Sequence, residues 1–430
     1  MKKLTNKWAK ALIVIIGVAL LLTGAGYLAL QYLKSELKAK LSSCTLENKS
    51  FMTVLDFDYV ANWIVVKVKI EGNDKEFPFI FDTGAQTVVS DSLLKEIGSN
   101  NYGIMTSGGK KDSIKNAFKN EIITIKGLQI GDLKFHDIGA ITTLNSKWDM
   151  LNCVSAYGII GYNILNTCGF QIDYGKKKII LTDQIESLEN YGKIEWVNFT
   201  TPKNQETPII SAVINDSIKV NLFFDTGSSG GIKLSSTGLY KDIIEKYPKK
   251  TAKYSFTPTI RIRGEQNELV KSMLFQANTF SLGGNLSEDI NINVENTPER
   301  EFSGFVGNKY LENYIVTVDY KNKRVGFIPN EMLDHEAKTT FGFSFTPTEN
   351  KLVVTSVFEG SQPERQGILV GDEIVSINGT KISELPAGRF CEIYRNEYDI
   401  ISKADSILSI EIMKNGNLMK YKFNRQNIFD

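Results

Sequence analysis

Beyond about residue 50 the chain is written in short apolar runs separated by turn residues. Asn62–Ile70 (NWIVVKVKI) is rich in β-branched residues and partly alternates apolar with polar. Glu71-Gly72-Asn73-Asp74 is a turn cluster, and Glu76–Phe81 is a second apolar strand ending at Asp82-Thr83-Gly84-Ala85. The pattern predicts a hairpin feeding a sharp turn. The same plan returns later: Pro208–Ile214, a turn at Asn215-Asp216, then Ile218–Phe224 ending at Asp225-Thr226-Gly227-Ser228.

More segments repeat. Gly158-Ile159-Ile160-Gly161 answers Gly304-Phe305-Val306-Gly307, Leu165 answers Leu311, and Asp173-Tyr174 answers Asp319-Tyr320. The two aspartates before Thr-Gly are 143 positions apart, and these later pairs 146. Two copies are too few for a solenoid or a propeller. They predict a two-lobed body, residues 51–185 and 191–330, with a cleft at the pseudo-twofold. After a polar stretch, residues 338–425 form a further module.

The amino terminus has a different texture. Lys2, Lys3, Lys7 and Lys10 precede an uncharged run from Ala11 to Leu33. At about 1.5 Å per residue this run reaches roughly 34 Å, enough to cross a bilayer core of about 30 Å. Residues 1–35 are therefore expected to be a transmembrane helix, with the basic tail inside and the rest in the periplasm or outside the cell. A cleaved signal peptide is the competing reading, although its apolar region is usually shorter. Leu41-Ser42-Ser43-Cys44 resembles a lipoprotein box, but charged residues separate it from the apolar run.

Composition narrows the chemistry. Fifty basic residues against 49 acidic ones leave a net charge of +1, so bulk charge does not suggest a nucleic-acid partner. The two histidines, His136 and His335, are far apart, which weighs against histidine triads and HExxH sites. Cys44, Cys153, Cys168 and Cys391 show no CxxC spacing, so no metal site is expected. Outside the cytoplasm Cys153 and Cys168 have the option of a disulfide. The preferred reading makes both small apolar fillers.

A lone Asp-Thr-Gly turns up by chance in about one chain in ten of this size. Two copies, each on an apolar strand and each followed by an apolar-apolar-Gly segment, are far more specific. FPFIFDTGAQTVVS with GIIGYNILNTCG resembles the retroviral-type aspartic protease subunit. VNLFFDTGSSGGIKLS with GFVGNKYL is similar in outline, and its DTGSS is pepsin-like. The resemblance implies a mainly β fold: a two-lobed acid-protease β-barrel body with Asp82 and Asp225 facing each other, and no need for a homodimer. Two carboxylates about 3 Å apart cannot both ionise, so they share one proton and activate water without a cofactor. By the same resemblance Thr83 and Thr226 lock the lobes together. Gly84 and Gly227 let the backbone turn close to the carboxylates, and Gly161 and Gly307 let the following strands pass behind each turn. Tyr102–Lys111 and, more weakly, Arg261–Glu268 are candidate hairpin tips over the cleft. Ala85 follows the first motif and Ser228 the second. A serine hydroxyl donating to its carboxylate lowers the pKa, so Asp225 is expected to carry the charge.

In the last module, Thr340-Phe341-Gly342-Phe343 precedes a strand. Gly360-Ser361-Gln362-Pro363, Gly371-Asp372-Glu373-Ile374 and Ile377-Asn378-Gly379 follow in order. The series resembles a PDZ domain. That implies a peptide ligand held as an added strand, its carboxylate on the backbone N–H groups of Thr340–Phe343. Two functions remain open: a membrane-tethered aspartic endopeptidase that acts on peptides or proteins, and a membrane-anchored PDZ adaptor whose protease fold no longer cuts.

Overall fold

Val65 lies opposite Ile80, and Val68 opposite Phe77, so Trp63–Ile70 and Glu76–Phe81 form the expected antiparallel hairpin. The computed structural model describes residues 23–33, 35–106, 121–143, 153–203, 205–235, 249–256, 269–295, 301–330, 339–348, 350–386, 388–396, 398–414 and 416–427. The proposed hairpin tips, beyond Thr106 and at Arg261–Glu268, lie outside them.

Gly158–Ile160 runs parallel to Glu76–Phe81, with Ile160 beside Phe81, and antiparallel to Val88–Ser90. The second half repeats this topology. Ile209–Ile214 and Ile218–Phe224 pair around Asn215 and Asp216, both at positive φ. Gly304–Val306 then runs parallel to Ile218–Phe224 and antiparallel to Ile232–Ser235. The halves join through Gly169–Asp173 and Tyr314–Asp319, which pair antiparallel with Phe170 opposite Val318. Each is backed by its own hairpin partner, Lys178–Thr182 or Arg324–Pro329. Met52–Asp56 and Glu195–Thr200 close the two sides of this shared sheet.

Strand alternation sends Ile64, Val66, Val68, Phe77, Phe79 and Phe81 into one apolar core that continues through both halves. Trp63, Val65 and Ile80, on the opposite face of the same hairpin, belong to a separate smaller cluster.

The carboxyl-terminal module has its own core, including Phe343, Phe345, Leu352, Ile374, Phe390 and Phe423. Its hairpin Phe343–Thr348/Lys351–Phe358 packs with Glu373–Ile377, Ile407–Lys414 and the helix Arg389–Arg395. It meets the body twice. The backbone of Lys351–Phe358 pairs with Lys249–Phe256, with Ser356 opposite Ser255. A disulfide also joins Cys391 of the helix to Cys153 of the first half, 238 residues away.

This disulfide corrects the reading of the cysteines: Cys153 is bonded, though not to Cys168. Cys168 is buried in the main core and stays a free thiol. Cys153 packs with the cluster on the other face of the sheet, so the first lobe's own strands stand between the two sulfurs.

Residues 23–33 and 35–41 are helical, and Tyr27, Leu28, Leu30, Tyr32 and Leu33 are exposed. Among the described residues no helix is long and apolar enough to cross a membrane. Residues 11–22 of the apolar run lie outside them. After the helix the chain is fastened to the first half: Ser43 Oγ donates to Asp137 O at 2.8 Å, and Gly139 N–H donates to Ser43 O at 2.9 Å. Cys44 packs against the core there, and burial pushes its thiol up to about 12.

Candidate active site

Asp82 and Asp225 each terminate a buried strand, and each is held by the parallel strand behind it. Asp82 N–H donates to Ile160 O, and Asp225 N–H to Val306 O, both at 3.0 Å. The following turns then grip one another. Thr83 N–H donates to Thr226 Oγ1 at 3.0 Å, and Thr226 N–H to Thr83 Oγ1 at 3.1 Å. The hydroxyls complete the lock: Thr83 Oγ1 donates to Phe224 O at 2.7 Å and Thr226 Oγ1 to Phe81 O at 2.9 Å. Both threonines are fully buried, so these reciprocal bonds work without competition from water.

The grip brings the two carboxyl groups within hydrogen-bonding reach of each other. It also explains the glycines. A Cβ on Gly84 would sit 2.5 Å from Asp225 Oδ1, and one on Gly227 would sit 2.1 Å from Asp82 Cγ. Gly161 is pressed against backbone, where a Cβ would lie 2.2 Å from Thr87 N. Gly307 is crowded likewise, 2.5 Å from Gly230 O.

Two asparagines carry the support further, and motif reading misses them. Asn163 Oδ1 accepts from Thr87 N–H at 3.1 Å and from Thr87 Oγ1 at 2.7 Å. Asn308 Nδ2 donates to Thr226 O at 2.7 Å and to Asn62 O at 2.8 Å, and Tyr174 OH donates to Asn308 Oδ1 at 2.8 Å. The available signal is an asparagine two residues after Gly161 and one residue after Gly307.

Burial raises both carboxyls, but unequally. Asp82 rises to about 6, held down by the N–H groups of Gly84 and Ala85, which donate to Oδ1 at 2.7 and 3.0 Å, and by the bond with Asp225. Asp225 is driven well above the usual carboxylate range by burial and then by the charge of Asp82. The pair shares one charge, and these directions favour it on Asp82 with the proton on Asp225, opposite to the direction expected from Ser228. Backbone N–H groups lower both members, three of them (Gly84, Ala85 and Gly227) at Asp82 and two (Gly227 and Ser228) at Asp225. Such a pair, one anionic and one protonated, can act as base and acid on a molecule placed between them.

Residues 66–164 match the aspartyl protease family, and residues 316–396 match the PDZ domain family. Two regions of the chain, neither spanning half of it, are therefore similar to an aspartyl protease domain and a PDZ domain. The aspartyl protease match includes Asp82 and Gly161 of the first lobe. The PDZ match starts within Tyr314–Asp319, a strand that pairs with the protease body, whereas the module's own core starts at Phe341. Among solved structures, Basic 7S globulin from soybean is similar at 11% identity and a TM-score of 0.41, over 66% of this chain and 96% of that one. No curated protein matches the chain.

In the PDZ domain the segment Thr340–Phe343 is not a simple row of free donors. Gly342 N–H donates to Thr340 Oγ1 at 3.0 Å. Phe341 and Phe343 are buried, the Phe341 ring lying 4.5 Å from the Arg425 guanidinium. Gly342 has φ +86°, and a Cβ there would come 2.7 Å from Ser361 Cβ. These side chains shape the loop.

Proposed function

We propose that this protein is an aspartic endopeptidase in which Asp82 and Asp225 share one proton. The observation that carries the reading is the reciprocal threonine grip, because it brings one charged and one neutral carboxyl together in a buried site. Asp82 takes a proton from water as the water oxygen bonds to the peptide carbonyl carbon. Asp225 gives its proton to the carbonyl oxygen. When the tetrahedral species collapses, the C–N bond breaks, the departing nitrogen receives the proton held by Asp82, and a hydroxyl of the new carboxyl group returns a proton to Asp225. Cleavage of an unfolded protein by the purified full chain, blocked by a statine-type peptide, tests this. No cleavage by a folded preparation, either oxidised or treated with dithiothreitol, would refute it.

The PDZ domain supports a peptide-binding role beside the cleft. The catalytic part is assigned to a membrane surface outside the cytoplasm. Exposed apolar residues on helix 23–33 support the first half of that assignment, and a disulfide, which persists in oxidising compartments, supports the second. A reporter active only outside the cytoplasm, fused after Asp430, is expected to be active and to sediment with membranes. An inactive reporter would reverse the topology.

The dyad also predicts a pH profile. Asp82 must be ionised, so kcat/KM is expected to fall as pH drops through about 6 and Asp82 takes up a proton. On the alkaline side, activity persists until Asp225 loses its proton, well above the ordinary carboxylate range. The pair titrates jointly, so the profile reports the two together. Ser228→Ala is expected to leave the acidic limb in place, since Ser228 acts on Asp225 through its backbone N–H, which alanine keeps. A displaced limb would return the charge to Asp225.

A further inference from the structure

The PDZ helix Arg389–Arg395 does not simply lie against the protease. Its Tyr394, with Tyr398 just beyond, enters the apolar cluster formed by Trp63, Val65, Ile80, Val88 and Ile159. Those five residues occupy the face of the first-lobe sheet that points away from the main core. Continuing the alternation of Glu76–Phe81 puts Asp82 on the side of Ile80, not of Phe79 and Phe81. Ala85 belongs to the same cluster, and its N–H donates to Asp82 Oδ1 at 3.0 Å. The tyrosines thus share one apolar cluster with the turn that holds the Asp82 carboxylate, on the side where a substrate side chain next to the scissile bond would lie.

Three features make the contact a specific closure. The Tyr394 ring meets Trp63 edge-on at 6.4 Å, and both residues are more than nine-tenths buried. Arg395 Nε donates to Cys153 O, and Cys391 is bonded to Cys153, so the helix is fastened beside the cluster by a covalent bond. On the other lobe, Lys351–Phe358 pairs with Lys249–Phe256, so the PDZ domain is attached to both halves. The covered state is also not fully satisfied: the Trp63 indole N–H is buried with no acceptor among the described residues. Lifting the helix gives that donor access to water or to a peptide carbonyl.

We propose that the PDZ helix is a tethered plug: Tyr394 fills the apolar substrate subsite beside Asp82, Tyr398 packs between it and the PDZ core, and the Cys153–Cys391 disulfide keeps them there. This rests on the protease reading and adds its regulation. The tether acts through effective concentration, returning the helix to the same face whenever it lifts. A dithiol reductant opens it in a balanced exchange. The reductant gives up two electrons and two protons and closes its own disulfide, while the Cys153–Cys391 bond is replaced by two S–H groups.

The test uses the full chain and an apolar peptide with an amidated carboxyl end, so that the PDZ loop has no carboxylate to hold. Oxidised parent protein, parent treated with dithiothreitol, Cys391→Ser, and Cys391→Ser with Tyr394→Ala are compared. We expect kcat/KM to rise in the reduced parent and in Cys391→Ser. In the double variant it should rise at least about tenfold, the scale set by withdrawing one large apolar side chain from a subsite. The same series in an Asp82→Asn background, read by fluorescence anisotropy of the uncleaved labelled peptide, should show binding tighten by a similar factor. Tighter binding with no cleavage in any form sustains the plug and removes the protease reading. Equal cleavage and equal binding in all four forms overturn the plug and leave the protease standing. If the double variant does not fold, the reduced parent and Cys391→Ser decide: no change in either overturns the proposal.

Discussion

Replacing Asp82 with asparagine is expected to lower kcat by about a thousandfold or more, with the fold retained. The side chain keeps its shape and one carbonyl oxygen to accept from Gly84 and Ala85, but it cannot accept a proton from water. Asp225→Asn should be equally inactive for the opposite reason, since an amide cannot transfer a proton to the carbonyl oxygen as a carboxylic acid does. Each change removes one half of a two-proton task, so the double variant should be little worse than either single one. Cleavage assays paired with thermal unfolding separate loss of chemistry from loss of structure. Appreciable turnover by either single variant would exclude the shared-proton mechanism.

Two glycine-to-alanine changes are expected to fail in different ways. At Gly227 the new methyl group would meet the Asp82 carboxylate, a side chain that can swing aside. Gly227→Ala should therefore keep most of its stability while losing nearly all activity, because the carboxylate leaves its donors. At Gly161 the methyl group would meet Thr87 N, Gln86 C and Ala85 O, the backbone of the first turn itself. Overpacking of this kind costs about 1–3 kcal/mol and sometimes more, so Gly161→Ala should lower the melting temperature as well as the activity. Equal melting temperatures for the two variants would show that the turn yields more easily than its packing implies.

The features legible in the sequence are those with a local signature or a repeat. The hairpin ending at Asp82 announced itself by apolar runs around a turn, and its copy 143 residues on pointed to the threonine grip. The asparagines were harder to read, because Asn163 and Asn308 look like ordinary helix-start residues until the neighbouring turn is in place. The disulfide was not legible. Its cysteines are 238 residues apart, and they meet only because a whole module docks on one lobe. Ser228 misled for a subtler reason: composition reveals a hydroxyl, whereas the carboxylate answers to the direction of backbone N–H groups. Phe341 and Phe343 likewise read as loop residues because their sequence does not show that the loop folds inward over them.

The two halves lie in one polypeptide, and their copies differ. Asn308 ties its turn to Asn62 of the opposite half, while Asn163 turns instead to Gly139 and Ser43, fastening the incoming arm of its own half. An assembly of two identical subunits must offer the same wall to both sides of a bound chain. Here a mutation on one wall has no obligatory echo on the other. Selection can therefore act on the two walls of the cleft as separate traits.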